Sequence, residues 1–236
     1  MNLFYTPDIS GKTWILSEEE SRHVVRVLRL KPNDLVYLTD GRGGLYTTHI
    51  LVDHPKKCVL EIEGIQNDYG KREYFIQIAI APTKNIDRFE WFLEKSTEIG
   101  IDVISPIICS RSERKQIKPE RLMRVITAAM KQSLKAYHPI LQEQQKFSDL
   151  INKELPPDRF IAHCGPGSKQ LLKSVSQSGR SSIILIGPEG DFTTDETDQA
   201  ISKGFIPVSL GDSRLRTETA GIAAAHTLSL INQKDV

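Results

Sequence analysis

Hydrophobic and polar positions change period near residue 70. Before it, Leu35–Thr39, Tyr46–Val52 and Cys58–Ile65 alternate, separated by Gly41-Arg42-Gly43-Gly44 and His54-Pro55-Lys56-Lys57. Short alternating runs bounded by turn residues predict the strands of a small β-barrel or curled sheet. One helix interrupts them, opened by Ser17-Glu18-Glu19-Glu20 as a capping box and running through about Leu28. After Asp68-Tyr69-Gly70-Lys71-Arg72, Phe75–Ala81 is an apolar run of the kind found in strands buried on both faces. Phe89, Phe92, Leu93 and Ser96 then lie at helical spacing, with Gly100 as the stop. A strand at Val103–Cys109 follows, and Pro119 starts a helix whose apolar positions are Leu122, Val125, Ile126 and Ala129. Further strands are predicted at Arg159–His163, Ser182–Ile186 and Ile206–Leu210. Thr193 with Glu196 caps a helix ending before Gly204, and Thr217–Asn232 reads as a long Ala-rich helix. Strands alternating with helices predict a mainly parallel α/β sheet covered on both faces. The chain thus divides at residues 1–72 and 73–236.

Composition narrows the class. A chain of 236 residues suits one large domain or two unequal ones, and 39% hydrophobic with 26% charged residues fits a soluble globular protein rather than a disordered or fibrous one. The longest apolar runs fall far short of the roughly 20 residues that span a bilayer, and Met1-Asn2-Leu3-Phe4-Tyr5 lacks the basic start of a secretory signal. Cys58, Cys109 and Cys164 form no CxxC pair, which favours a reducing cytoplasm. Their simplest role is as small buried apolar side chains. His163 and Cys164 are neighbours in a predicted strand, pointing to opposite faces, so no metal site is expected.

Open α/β sheets bind ligands beyond the C-terminal ends of their strands. Two loops lie there: Gly187-Pro188-Glu189-Gly190-Asp191-Phe192, after Ile183–Ile186, and Gly211 through Gly221, after Ile206–Leu210. Their glycines allow close approach to the backbone, although Gly-Pro-Glu-Gly alone is better read as an ordinary turn, since four-residue patterns recur by chance. GxGxxG, GxxxxGK[ST] and GxSxG are absent, which argues against the usual nicotinamide enzymes, nucleotidases and elbow hydrolases.

Charge is unevenly placed. The totals are 31 basic and 30 acidic residues, a net of +1, yet Arg111–Lys135 holds eight basic residues against two acidic ones, a net of +6. In the first helix Arg22, Arg26 and Arg29 follow i, i+4, i+7 spacing on the face opposite Val24 and Leu28. Such stripes are usually solvated faces; two of them, one per domain, make a polyanionic partner an equal alternative.

Taken together, these residues resemble the bacterial 16S rRNA (uracil N3) methyltransferases of the SPOUT class. The likeness runs through His23-Val24-Val25-Arg26-Val27-Leu28-Arg29, Glu94–Ile101, Arg111-Ser112, Lys131-Gln132-Ser133, Gly187-Pro188-Glu189-Gly190, Leu210-Gly211 and Leu215-Arg216-Thr217-Glu218-Thr219-Ala220. The last loops, in this order and spacing, are the specific part. The resemblance implies a PUA-like β-barrel that binds RNA, followed by an α/β domain with a deep C-terminal trefoil knot. It implies S-adenosylmethionine as cofactor, a homodimer, and a uridine of 16S rRNA in the small ribosomal subunit as substrate. Carried over by position, cofactor contacts fall at Ile186, Gly187, Pro188, Glu189, Gly190, Leu210, Gly211, Leu215 and Arg216. RNA contacts fall at Arg22, Arg26, Arg29, Arg111, Arg114 and Lys135. Family members commonly carry glycine where Asp191 stands and arginine where Lys135 stands.

Methylation at uracil N3 requires loss of the N3 proton and stabilisation of the charge left on the flanking carbonyls. Arg216 is the candidate for that stabilisation. Glu218 and Glu189 are candidates for base or for orienting the arginine, Glu218 having also the simpler role of a first-turn carboxylate. Competing readings are a knotted methyltransferase acting on another RNA such as tRNA, a non-catalytic RNA-binding or assembly protein, and a structural dimerisation module.

Overall fold

The computed structural model describes residues 1–233, in two units: Met1–Lys71 with Met130–His138, and Arg72–Ala129 with Pro139 onward. In the first unit, β1 (Leu3–Tyr5), β2 (Thr13–Ile15), β3 (Leu35–Thr39), β4 (Leu45–Val52) and β5 (Val59–Gln66) form one sheet in the order β1-β3-β4-β5-β2. The β1–β3 pair is parallel and the others are antiparallel. Alternation turns Val36, Leu38, Ile50 and Leu60 inward, onto Phe4, Leu16, Val24 and Cys58. Burial pushes the Cys58 thiol up to about 11, so it stays uncharged in that core.

The helix predicted from Ser17 to Leu28 is shorter and mixed. α1 (Glu18–Arg22) passes into a π-helical turn at His23–Val27. Ser17 Oγ accepts the Glu20 N–H at 3.2 Å, as a capping box requires. The reciprocal half is not made, because the Glu20 carboxylate accepts from Lys131 Nζ at 2.6 Å instead. That lysine belongs to the Met130–His138 segment, which joins the first unit from far along the chain. The Ala136 carbonyl accepts from the Gly43 N–H at 2.9 Å and from Thr39 Oγ1 at 3.2 Å, while the His138 N–H donates to the Gly41 carbonyl.

The second unit alternates strands and helices. In chain order they are β6 (Ile76–Ile80), α2 (Ile86–Ile99), β7 (Val103–Ile108), α3 (Pro119–Gln132), β8 (Ile140–Leu141), β9 (Gln145–Lys146) and α4 (Phe147–Ile151). Then come β10 (Asp158–Ala162), β11 (Gln170–Leu171), α5 (Leu172–Val175), β12 (Ser182–Ile186), α6 (Thr194–Ser202), β13 (Ile206–Ser209) and α7 (Thr217–Ile231). The strands pair in the order β11-β13-β10-β12-β6-β7-β8, with β9 also on β7, and every pairing is parallel. β6 and β12 are buried at every residue, which is why both read as apolar runs. Their alternate side chains serve two cores. Ile76, Ile78, Ile80, Ile184 and Ile186 pack with Phe89, Phe92 and Leu93 of α2 and with Ala224, Ala225 and Leu228 of α7. Ala79, Ala81, Ile183 and Leu185 pack with Phe147, Phe192, Ala200 and Phe205.

Local signals hold where the chain supplies both partners. Gly100 ends α2 in the left-handed region, φ 110°, with its N–H on the Ser96 carbonyl at 2.9 Å. The Thr193–Glu196 capping box is complete at α6, and Glu196 also accepts from the Ser110 N–H at 2.8 Å. Arg72 pairs with Asp102 and donates to the Gly100 carbonyl, while Asp102 accepts the Ile76 N–H at 2.7 Å, fastening the start of β6 to that of β7.

Gly221 sets how closely α7 approaches α2. A Cβ there would lie 2.7 Å from Phe92 Cδ2 and 2.9 Å from Ile80 Cδ1. Gly221→Ala gains about 1 kcal/mol of helix propensity and incurs roughly 1–3 kcal/mol of overpacking. The difference is a net destabilisation of up to about 2 kcal/mol, read as a lower urea midpoint; a raised midpoint contradicts this packing.

Candidate active site

Strands β10, β12 and β13 run side by side and end together, at Ala162, Ile186 and Ser209. The loops that follow line a cleft of about 830 Å³, placed where ligands bind in parallel sheets. Ile186, Gly187, Pro188, Glu189, Gly190, Leu210, Gly211, Leu215 and Arg216 all line it. Thr217 Oγ1 donates to the Gly187 carbonyl at 3.1 Å and so ties the start of α7 to the loop after β12. A Cβ at Gly187 would meet the Phe192 ring at 3.1 Å, which accounts for glycine at the base of this loop. Gly211 has φ 131°, in a region that glycine alone tolerates easily.

Arg216 occupies the N-cap of α7, but its side chain makes no capping bond. Among the described residues its guanidinium has no hydrogen-bond or ion-pair partner, and it lines the cleft as a free cation. The two candidate carboxylates are placed differently. Glu189 is exposed on the cleft wall, with Oε1 accepting the Lys84 N–H at 2.9 Å. Glu218 lies outside the cleft lining, its side chain 8% exposed and its Oε1 3.9 Å from Arg88 Nε. Its other oxygen has no hydrogen-bond partner among the described residues. Arg88, on α2, lines the cleft and belongs to no motif that the sequence displays.

The proposed RNA-contacting cations divide in the same way. Arg111 Nη1 donates to the carbonyls of Gly190 and Phe192 at 2.9 and 3.2 Å. Arg114 donates to those of Thr83 and Lys84 at 2.9 and 2.6 Å. Both therefore brace loops near the cleft. In the first unit Arg22 pairs with Glu18 at 3.0 Å, whereas Arg26 and Arg29 are exposed. The helix ends before Arg29, which takes φ 57°, so the three arginines do not follow one continuous α-helical stripe. Lys135 is half-buried just after Leu134, which has φ 56°.

His163 and Cys164 depart from the sequence expectation. β10 ends at Ala162, so neither follows strand alternation, and both line the cleft. Burial, aided by Lys169, holds the His163 imidazole below its ordinary value against an opposing pull from Asp191. Among the described residues no group of three or more His, Cys, Asp or Glu side chains is placed to hold a metal, and no helix is long and apolar enough to cross a membrane.

This architecture has relatives. The RNA methyltransferase domain family matches residues 71–229, and the RNA methyltransferase PUA domain family matches residues 16–63. Ribosomal RNA small subunit methyltransferase E of Synechocystis sp. is 32% identical over 219 residues, which cover 90% of this chain and 71% of that protein. The enzyme of the same name from Aquifex aeolicus is 27% identical, over 97% of this chain and 99% of its own. Among solved structures, the probable rRNA-methyltransferase from Porphyromonas gingivalis has a TM-score of 0.90 at 41% identity, covering 98% and 99% of the two chains. Ribosomal RNA small subunit methyltransferase E from Neisseria gonorrhoeae, bound to S-adenosyl methionine, has a TM-score of 0.88 at 27% identity, with 98% of each chain covered. The two-unit fold and its cleft are those of an RNA methyltransferase with a PUA domain, and the chain belongs to the ribosomal RNA small subunit methyltransferase E family.

The environment of His163 is testable by NMR titration. Its midpoint is expected below the ordinary value of about 6.5, leaving the imidazole neutral at neutral pH. Because the unfolded chain binds that proton more readily, His163 lowers folded stability as the pH falls through about 6.5. A midpoint at or above that value contradicts the burial described.

Proposed function

We propose that this protein transfers a methyl group from S-adenosylmethionine to N3 of a specific uridine in 16S rRNA of the small ribosomal subunit. The observation that carries this is the cleft between Ile186–Asp191 and Leu210–Arg216, in a chain whose relatives are small-subunit rRNA methyltransferases. The cleft fits the cofactor. Its volume falls in the usual range of about 300–1,000 Å³ for small-ligand sites. Its walls pair apolar Ile186, Pro188, Leu210 and Leu215 with glycine backbone at 187, 190 and 211. These residues would hold it, and when bound it supplies an electrophilic methyl group.

The residues of this chain then have three tasks. The loops orient the reacting base, which can contribute about 7–11 kcal/mol to the barrier reduction. Arg216, unpaired at the cleft, stabilises negative charge on the uracil carbonyls as the N3 proton leaves. Glu189, which lines the cleft, takes that proton, whereas Glu218, 3.9 Å from Arg88, orients that cation. Residues 1–72, completed by the Met130–His138 segment, form the PUA-like RNA-binding domain, and the rest of 73–236 the methyltransferase domain. The C-terminal loops form a trefoil knot, two chains form a homodimer, and the enzyme works in the cytoplasm. Arg26 and Arg29, exposed in the first unit, contact phosphate, with Arg22 and Lys135; Arg111 and Arg114 act chiefly by holding loops.

Three experiments test this. With cofactor saturating, Arg216→Ala is expected to slow single-turnover methylation of small subunits about 10²–10³-fold, as loss of one charge-stabilising donor does. An unchanged rate removes Arg216 from the reaction. Reverse-transcriptase mapping of the product names the base, since an N3-methyl group blocks the Watson–Crick edge, and methylation of tRNA instead overturns the substrate. Arg26→Ala with Arg29→Ala is expected to reduce the slope of log K against log salt by about 1.4–1.8, for two lost phosphate contacts. A wild-type slope excludes them from the interface.

A further inference from the structure

Asp191 sits in a backbone conformation that its Cβ disfavours. Its φ is 63°, in the left-handed region that glycine enters freely and Asp only at some cost, offset by local hydrogen bonds of its carboxylate. Its own N–H donates to the Pro188 carbonyl at 2.9 Å, closing the turn. The carboxylate then makes two backbone contacts. Oδ1 accepts the Phe192 N–H, and Oδ2 accepts the Cys164 N–H, each at 2.8 Å. The first stays within the loop after β12. The second crosses to the loop after β10, which Lys169 closes further by donating to the Gly165 carbonyl. Asp191, His163 and Cys164 all line the cleft, so the contact joins two of its walls.

We propose that Asp191 is a positioning residue for the cofactor: its carboxylate clamps the His163–Gly165 wall to the Gly187–Asp191 wall and sets the cleft's shape before S-adenosylmethionine enters. The inference rests on the cofactor reading given above. Glycine at this position would adopt the same φ without strain, but would remove the carboxylate's hydrogen bond to the Cys164 N–H that links the two walls. Ligand binding would then have to order the second wall, and that ordering weakens affinity. Hydrogen bonds from backbone N–H groups to an ionised carboxylate are among the stronger kinds, which suits a clamp.

Cys164 makes the clamp observable without turnover, because it is exposed while Cys58 and Cys109 are buried. The full-length Asp191→Gly and Asp191→Asn proteins are compared with wild type by thermal melting, calorimetric titration with S-adenosylmethionine, and the rate of Cys164 alkylation in the ligand-free protein. The Gly protein, in which relief of strain offsets part of the lost hydrogen bonding, is expected to change little in melting temperature, yet to bind the cofactor about tenfold more weakly, the scale of one charge-assisted hydrogen bond. Its Cys164 is expected to alkylate faster, and the Asn protein, with one acceptor left, to fall between in affinity and in rate. A merely structural role would move stability and affinity together. A Gly protein with a Kd within twofold of wild type and unchanged Cys164 reactivity overturns the clamp. A wild-type protein that binds no S-adenosylmethionine overturns the cofactor reading instead, and the alkylation rates then still decide whether Asp191 holds the wall.

Discussion

The parallel register of β12 between β10 and β6 is the constraint on which the second unit rests. Ile184 stands opposite Phe160 on one side and Ile78 on the other, and Ile186 stands opposite Ala162 and Ile80. With that register set, strand alternation sends one row of side chains toward α2 and α7 and the other toward α4 and α6. A one-residue slip would exchange the two rows and present each core with the other's residues. Because every pairing is parallel, each return crossover is a helix or long loop, and the strand ends that precede those crossovers collect on one edge. The cleft follows from this geometry, before any particular side chain is considered.

Side chains decide what the cleft becomes. Some cations near it are tied to backbone: Arg111 and Arg114 each donate to two carbonyls, groups that loops otherwise leave to water. Arg216 is the contrasting case, at a helix start where a short oxygen-bearing side chain would normally cap. A longer cationic residue there gives up a local bond and leaves a guanidinium free at the mouth of a site. Thr217, one residue on, restores order by holding Gly187 through its hydroxyl. One unsatisfied cap and one satisfied hydroxyl together produce a loop that is fixed in place and still chemically available.

Much of this was legible in the sequence, and the parts that were not share a cause. The apolar runs at 76–80 and 182–186, the Thr193 box and the Gly100 stop are local, and each appears as expected. The cleft residues of the two Gly-containing loops were also legible, because they form one contiguous pattern each. What escaped depends on partners remote in the chain. Ser17-Glu18-Glu19-Glu20 looks like a complete box until Lys131 takes Glu20 away. Arg88 has no neighbouring motif to announce it, and the carbonyls that Arg111 Nη1 donates to, on Gly190 and Phe192, lie far along the chain. β8, β9 and β11 have two residues each, too few to show a period.

The Met130–His138 segment has a consequence for how the chain is made. Lys131, Ala136 and His138 supply contacts to Glu20, Thr39, Gly41 and Gly43 of the first unit. Synthesis runs from the N-terminus, and domains generally fold in that order as they emerge. Here the first unit leaves the ribosome early but lacks part of itself until more than half the chain has been translated. Its closure carries the entropic cost of a long intervening loop, and that loop contains β6, α2 and β7, the start of the other unit. Vectorial order and completion order are therefore uncoupled: the unit that is born first is finished only while the second is already under construction.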